Sequence, residues 1–195
     1  MILLDKLADY QIFLASKSPR RHELLSGMGI SFQYLETEVE ELYPEHLTPV
    51  QVAEYLSQLK MSSIERSAYP DKSIFITCDT IVVLHDHILG KPKDREEAVT
   101  FLRQLSGHTH QVISGLTVGT PHNISTAHSI TKVRFAPLPE EQIQHYVNQY
   151  LPLDKAGAYG VQEWLGYTGI EAIEGSFYNV MGLPTRLLWQ MLGEV

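Results

Sequence analysis

The segment "SKSPRR", Ser16 to Arg21, crowds two hydroxyls and two guanidinium groups where an apolar run gives way to a leucine-rich one. A helix that starts here exposes unpaired N–H groups and the positive end of its dipole, which favour an anion. Ser16, Ser18, Arg20 and Arg21 add hydroxyl donors and guanidinium forks, so the segment outlines a phosphate site. An N-cap followed by a solvated basic face fits the same letters. Neither a GxGxxG loop nor a Walker lysine loop is present, which excludes a standard dinucleotide or P-loop site.

Asp79 is the second anomaly, a carboxylate inside the apolar stretch "SIFITCDTIVVL". Buried alone it would cost several kcal/mol, so it is paired, metal-bound, open to a cleft, or placed in a tight turn or bulge. Cys78 beside it reads as a small buried residue, since no Cys-His motif frames it. Lys60, late in a predicted helix, and Lys91, held before Pro92 in "LGKPKD", are candidates to reach the same place, although each also reads as a surface lysine. The acidic run "ETEVEELYPE" offers Glu38, Glu40 and Glu41 to join Asp79 around a divalent cation through oxygen ligands; a solvated acidic loop is the other reading. "KAGAYGVQ" reads as an ordinary glycine turn, or as small residues that let Lys155 and the backbone approach a ligand, with Gln162 able to donate and accept at a base edge. The paired histidines at His85 and His87 and at His108 and His110 have no third ligand at a recognisable spacing and read as turn or surface residues.

These residues need elements to hold them. Gln11 to Ser16 predicts a strand, and Pro19 after Ser18 opens a helix closed by Gly27 and Gly29. A strand over Ile30 to Leu35 and an amphipathic helix from Thr48 to Ile64 follow. Ser73 to Leu84 predicts two strand segments meeting at Asp79, and Asp94 to Ser106 a helix ending at Gly107. Thr109 to Val118 and Thr126 to Phe135 predict an antiparallel hairpin, and helices follow from Pro139 to about Gln149 and from Pro184 to Leu192. Interleaved helices and strands with a central hairpin give an α/β class with a mixed sheet.

The totals bound the partners. With 195 residues and 44% hydrophobic content there is material for one substantial core or two small lobes. A formal charge of -8 argues against a general affinity for nucleic-acid backbones, so any anion site is local. One cysteine allows no internal disulfide and fits a reducing cytoplasm. The apolar start Met1 to Leu4 is too short for a signal peptide, and no stretch approaches a membrane span.

Taken in order and spacing, "LASKSPRRHELL", "CDTIVVLHDHILGKPKDREEAVTFLRQLSGHTHQVISGL", "LDKAGAYGVQ" and "IEGSFYNVMGLP" resemble the signature segments of the Maf (septum formation) family of nucleoside triphosphate pyrophosphatases. The resemblance spans nearly the whole chain and implies one Maf-like domain over residues 1–195. It implies a fold like that of inosine triphosphate pyrophosphatases, with a mixed sheet flanked by helices and two lobes around a deep cleft. It also implies a homodimer, and hydrolysis of a nucleotide to its monophosphate and pyrophosphate with Mg²⁺ or Mn²⁺. By resemblance, Asp79 falls on the proton acceptor and metal position, Glu41 on the acidic metal-side position, and Ser16, Arg20, Arg21, Lys60 and Lys91 on phosphate-binding positions. Arg20, Thr80 and Gln162 stand where the family's base preference is tracked and look like the dTTP/UTP branch. Cys78 and Glu163 depart from the common letters, and the second bears on base preference. A modified base, or a nucleotide-binding regulator of cell division, are the alternative readings.

Overall fold

A computed structural model describes residues 2–195; Met1, which opens the apolar Met1 to Leu4 start, lies outside them. In chain order the elements are α1 (Leu3–Leu7), β1 (Gln11–Leu14), α2 (Pro19–Gly27), β2 (Gln33–Tyr34), α3 (Pro49–Ser62), β3 (Ser73–Leu84), β4 (His87–Leu89) and α4 (Arg95–Leu105). Then follow β5 (Thr109–Gly119), β6 (Ile124–Phe135), α5 (Glu140–Tyr150), α6 (Trp164–Gly169), β7 (Ile170–Glu174), α7 (Phe177–Met181) and α8 (Thr185–Gly193). The strands form a seven-stranded sheet in the order β2-β1-β3-β5-β6-β7, with β4 paired to β3. β1 pairs parallel with both β2 and β3, whereas β3 with β4 and β6 with β7 are antiparallel, so the sheet is mixed and helices flank it.

The chain divides into two compact units. One runs to Asp79 and takes in Ser114–Ser129 and Gly182–Val195; the other comprises Thr80–Ile113 and Ile130–Met181.

In the first unit the helix starts follow local chemistry. Pro19 stands at the first position of α2, and Thr48 caps α3 by accepting from the Gln51 N–H while Gln51 Oε1 accepts from the Thr48 N–H at 2.9 Å. β5 and β6 are neighbours joined by only residues 120–123, with the Thr120 N–H donating to the Asn123 carbonyl at 2.8 Å; so short a link joins antiparallel strands. Ala53, Ser57 and Met61 recur every fourth residue of α3 and meet Gly115, Thr117 and Gly119, every second residue of β5. The match is metric, since four helical residues rise about 6 Å and two strand residues advance about 6.6 Å. Ser57 Oγ lies 2.9 Å from Thr117 Oγ1, and Thr77 Oγ1 of β3 donates to the Ser57 carbonyl at 2.7 Å. These buried bonds, worth about 1 kcal/mol each, fix α3 against both strands three residues before Lys60.

Two predicted boundaries change. β3 is one unbroken strand through Cys78, Asp79 and Thr80, with no turn at the aspartate, whose carboxylate is paired with Lys60. The strand expected over Ile30 to Leu35 shrinks to Gln33–Tyr34, the pair in register with Phe13 and Leu14.

The second unit is built on an aromatic core. His110 on β5 is buried against the Phe135 ring at 5.3 Å, and its Nε2 is 2.7 Å from the Tyr159 hydroxyl. This corrects the reading of His110 as a turn or surface residue; His85 alone of its pair sits with positive φ in the turn before β4, and His87 and His108 are exposed. Burial pulls the His110 pKa from 6.5 down to about 4, and its Nδ1 has no hydrogen-bond partner among the described residues. The native state therefore stays neutral where the unfolded chain takes up a proton. Stability from this group is full above about pH 6.5 and is lost as pH falls towards about 4, a total of about 3 kcal/mol. Urea unfolding at pH 7 and pH 4.5 should show His110→Gln losing about 2–3 kcal/mol less than the parent; parallel losses would remove His110 from this role. Among the described residues no helix is long and apolar enough to cross a membrane.

Candidate active site

In the first unit Ser16 follows the end of β1 and is buried. Its Oγ accepts from the Ser18 N–H and from Arg21 Nη1, both at 3.2 Å, and its carbonyl lies 2.6 Å from His22 Nε2. Arg21 Nε donates to the Gly182 carbonyl at 2.7 Å, the oxygen that Cys78 Sγ also approaches at 3.5 Å. The turn into α2 is thus fixed against the strand that carries Asp79. Ser18, although it is the N-cap, makes no side-chain cap bond to α2. Arg20, half-buried, occupies the second position of the helix, where the dipole favours an anion.

Asp79 is buried within β3, beyond the stretch where Leu14 pairs with Ile76, and so lies towards the C-terminal end of the parallel pair. That is where α/β sheets gather ligands. Lys60, in the last turn of α3, donates Nζ to Asp79 Oδ1 and stands 2.8 Å from Glu41 Oε1. Lys60 and Asp79 side chains are 12% and 10% exposed, so each is the other's compensation for lost water. Glu41 enters from the exposed loop before α3 and is 41% exposed. The acidic run therefore divides: Glu41 joins Asp79 through Lys60, whereas Glu38 and Glu36 face Lys17 at 3.2 and 3.4 Å on the surface.

This arrangement fits a divalent cation. The Lys60 ammonium is itself a cation bound by two carboxylates from different elements, and those hard oxygen donors suit Mg²⁺ or Mn²⁺. No group of three or more His, Cys, Asp or Glu placed to hold a metal ion occurs among the described residues, so Asp79 and Glu41 would hold such a cation only together with a substrate's phosphate oxygens.

The second unit holds Thr80, Lys91, Lys155 and Gln162. In the β3–β4 hairpin Val82 pairs with Leu89, two residues before Lys91. Pro92 is buried and Lys91 exposed, so the proline anchors the segment from which the lysine projects. The "DKAGAYG" segment seats on this hairpin: the Gly157 N–H donates to the Gly90 carbonyl at 3.1 Å. At Gly157, φ is 68° and a Cβ would lie 2.9 Å from both Val82 methyls, which explains the glycine. Lys155 is buried and pairs with Asp154 at 2.7 Å and Glu163 at 3.1 Å. Tyr146, on a face of α5 that reads as ordinary core, donates its hydroxyl to Glu163 Oε2 and had no signal in the sequence.

A family model described as "Maf-like protein" matches residues 11–195. The chain is 46% identical over 194 residues to "dTTP/UTP pyrophosphatase" of Porphyromonas gingivalis, covering 98% of each. It is 47% identical over 194 residues to the protein of that name from Bacteroides thetaiotaomicron, covering 99% of this chain and 100% of the other. Among solved structures it is similar to "Structure of a HAM1 protein from Coxiella burnetii", with a TM-score of 0.45, 12% identity, and coverage of 67% of this chain and 75% of that one, a likeness too loose to bear on the site. The match from β1 to the last residue, and the near-complete coverage of those relatives, establish that this chain belongs to the Maf-like family.

Proposed function

We propose that the protein hydrolyses dTTP and UTP to the nucleoside monophosphate and pyrophosphate, with Mg²⁺ or Mn²⁺ bound at Asp79 and Glu41. The observation that carries the reading is the buried Lys60–Asp79 pair joined to Glu41, in a chain whose full-length relatives are named for that reaction.

Cleavage to pyrophosphate breaks the bond between the α-phosphorus and the bridging oxygen to the β-phosphate, with water attacking phosphorus from the opposite side. Asp79 takes the proton from that water. Lys60 donates to Asp79 Oδ1 and so orients the carboxylate, while its charge also lies at the triphosphate. Arg21, braced by Ser16 and the Gly182 carbonyl, presents a preset guanidinium plane, and Arg20 adds positive charge for the oxygens of the leaving pyrophosphate; the family resemblance supports Lys91 as a further phosphate-binding residue. Asp79 and Glu41 would hold a divalent cation, which would add neutralisation of the triphosphate and polarisation of the α-phosphorus. The family resemblance supports Arg20, Thr80 and Gln162 as the positions that track the preferred base. The resemblance and the lone buried Cys78 support a cytoplasmic enzyme, and the resemblance supports a homodimer.

Turnover of dTTP, UTP, CTP and 7-methyl-GTP with product identification tests this. Expected are pyrophosphate as the product, dTTP and UTP favoured at least about tenfold over CTP, and loss of activity with a chelator. Release of orthophosphate, or a preference for 7-methyl-GTP, would overturn the assignment.

A further inference from the structure

Glu163 stands beside Gln162 in the turn that closes the "KAGAYGVQ" segment, and its surroundings are unlike those of a loop acid. Its side chain is 20% exposed, accepts the Tyr146 hydroxyl, and faces the buried Lys155 ammonium at 3.1 Å. Tyr146 is fully buried on α5 and also accepts from the Gly160 N–H at 3.0 Å. Burial and the neighbouring Glu163 carboxylate push the Tyr146 phenol above its ordinary range, which keeps the hydroxyl a donor. The Glu163 N–H in turn donates to the Gly160 carbonyl at 3.0 Å. The four residues 160–163 are therefore closed by one main-chain bond and clamped from below by one tyrosine that holds both ends.

Gln162 is the residue this clamp presents. A Cβ on Gly160 would lie 2.7 Å from the Glu163 carboxyl carbon and 3.1 Å from Gln162 Nε2, so both side chains rest over the same glycine. Gln162 Oε1 is buried and has no hydrogen-bond partner among the described residues. A buried acceptor left without a donor is unfavourable, which suits an oxygen whose donor arrives with a ligand. The N3–H of thymine or uracil is such a donor, and the Gln162 amide N–H can then reach a neighbouring keto oxygen. Cytosine carries no hydrogen at N3 and cannot form the same pair.

We infer that Glu163 is a positioning residue for base selection: through Tyr146 and Lys155 it fixes the 160–163 turn and so holds the Gln162 amide ready for a ketopyrimidine. Ordering that amide before the substrate arrives removes part of the entropy lost on binding, so the effect belongs in KM and in discrimination. The inference rests on the dTTP/UTP reading above.

The experiment compares kcat and KM for dTTP and CTP in the parent, Glu163→Ala, Tyr146→Phe, the double variant and Glu163→Gln. Lys155 keeps Asp154 as a partner when Glu163 is removed, so the core charge is not stranded. Each of Glu163→Ala and Tyr146→Phe should raise KM for dTTP about tenfold and lower the dTTP/CTP ratio of kcat/KM about tenfold, with kcat within about twofold. The double variant should lose less than the product of the two singles, because the Tyr146–Glu163 bond is common to both. Glu163→Gln, which keeps an acceptor for the tyrosine, should recover most of the ratio. Unchanged KM and ratio, or equal losses for both nucleotides in kcat, would overturn the role; if Glu163→Ala does not fold, Tyr146→Phe decides, as it removes one hydroxyl. A parent that hydrolyses neither dTTP nor UTP would bring down the functional reading itself, whereas an active parent with indifferent variants would bring down only this inference.

Discussion

Asp79→Asn should lower kcat for dTTP by about a thousandfold while leaving KM within a few-fold of the parent. Asparagine keeps the volume of the side chain and an Oδ1 that can accept from Lys60, so the strand, the helix terminus and the phosphate-facing cations stay where they are. What disappears is the anionic oxygen that, in the proposed mechanism, takes a proton from water and would share a cation with Glu41. General-base removal alone is worth about 10²–10⁴ in rate, and losing a metal ligand acts in the same direction. Pyrophosphate release measures the rate, and a thermal shift on adding dTTP confirms that the variant still binds. A rate within tenfold of the parent, in a variant that still binds, would take the chemistry away from Asp79 and leave its burial with Lys60 as a stability device.

How far the sequence foretold this site depends on which residues are asked about. Asp79 was conspicuous because a charge inside a β-branched run has few stable fates, and Ser16 to Arg21 because hydroxyls and guanidinium groups meet at a helix start. The element boundaries set by Pro19 and by Thr48 with Pro49 follow from backbone chemistry that acts within four residues, and the helices begin there. Distant compensation is another matter. The polar letters Cys78, Asp79 and Thr80 looked like a break in β3, yet the strand runs through them, and Lys60, 19 residues earlier, satisfies the carboxylate. Nothing local in the pattern records that pairing. The same holds for Tyr146, whose hydroxyl finds its purpose 17 residues later at Glu163. His110 was legible and misread: Thr109 and Gln111 are exposed and His110 and Val112 buried, a period of two that placed the ring inside. The family resemblance adds the order of the segments, which no single motif carries.

Gly115→Ala should cost several kcal/mol of stability, about 4 or more. A Cβ there would lie 2.0 Å from the Ala53 carbonyl oxygen, 2.3 Å from its carbon and 2.6 Å from the Glu54 nitrogen. These are backbone atoms of α3, so no side-chain rotation relieves the clash; the helix must move away from β5 by about 1 Å or more, since nonbonded carbon and oxygen atoms need roughly 3 Å. The neighbouring contacts resist that movement. Ser57 is bonded to Thr117 and to Thr77, and Met61 packs over Gly119, where its sulfur would lie 2.9 Å from an added Cβ. Displacing α3 therefore loosens two buried hydrogen bonds and a close-packed stripe at once, a loss of about 4 kcal/mol or more. For a chain of this length that corresponds to a melting temperature roughly 8–16 °C lower. Gly27→Ala is the matching control, because a Cβ at that end of α2 meets nothing within 4 Å and alanine favours the helix by about 0.5–1 kcal/mol. The same displacement carries Lys60 away from Asp79, so whatever fraction of Gly115→Ala remains folded should also turn over dTTP more slowly than its folded population accounts for. A variant that melts within 2 °C of the parent and keeps full activity would mean that α3 has slack on the sheet, and that Lys60 reaches Asp79 without the close backbone contact between Ala53 and Gly115.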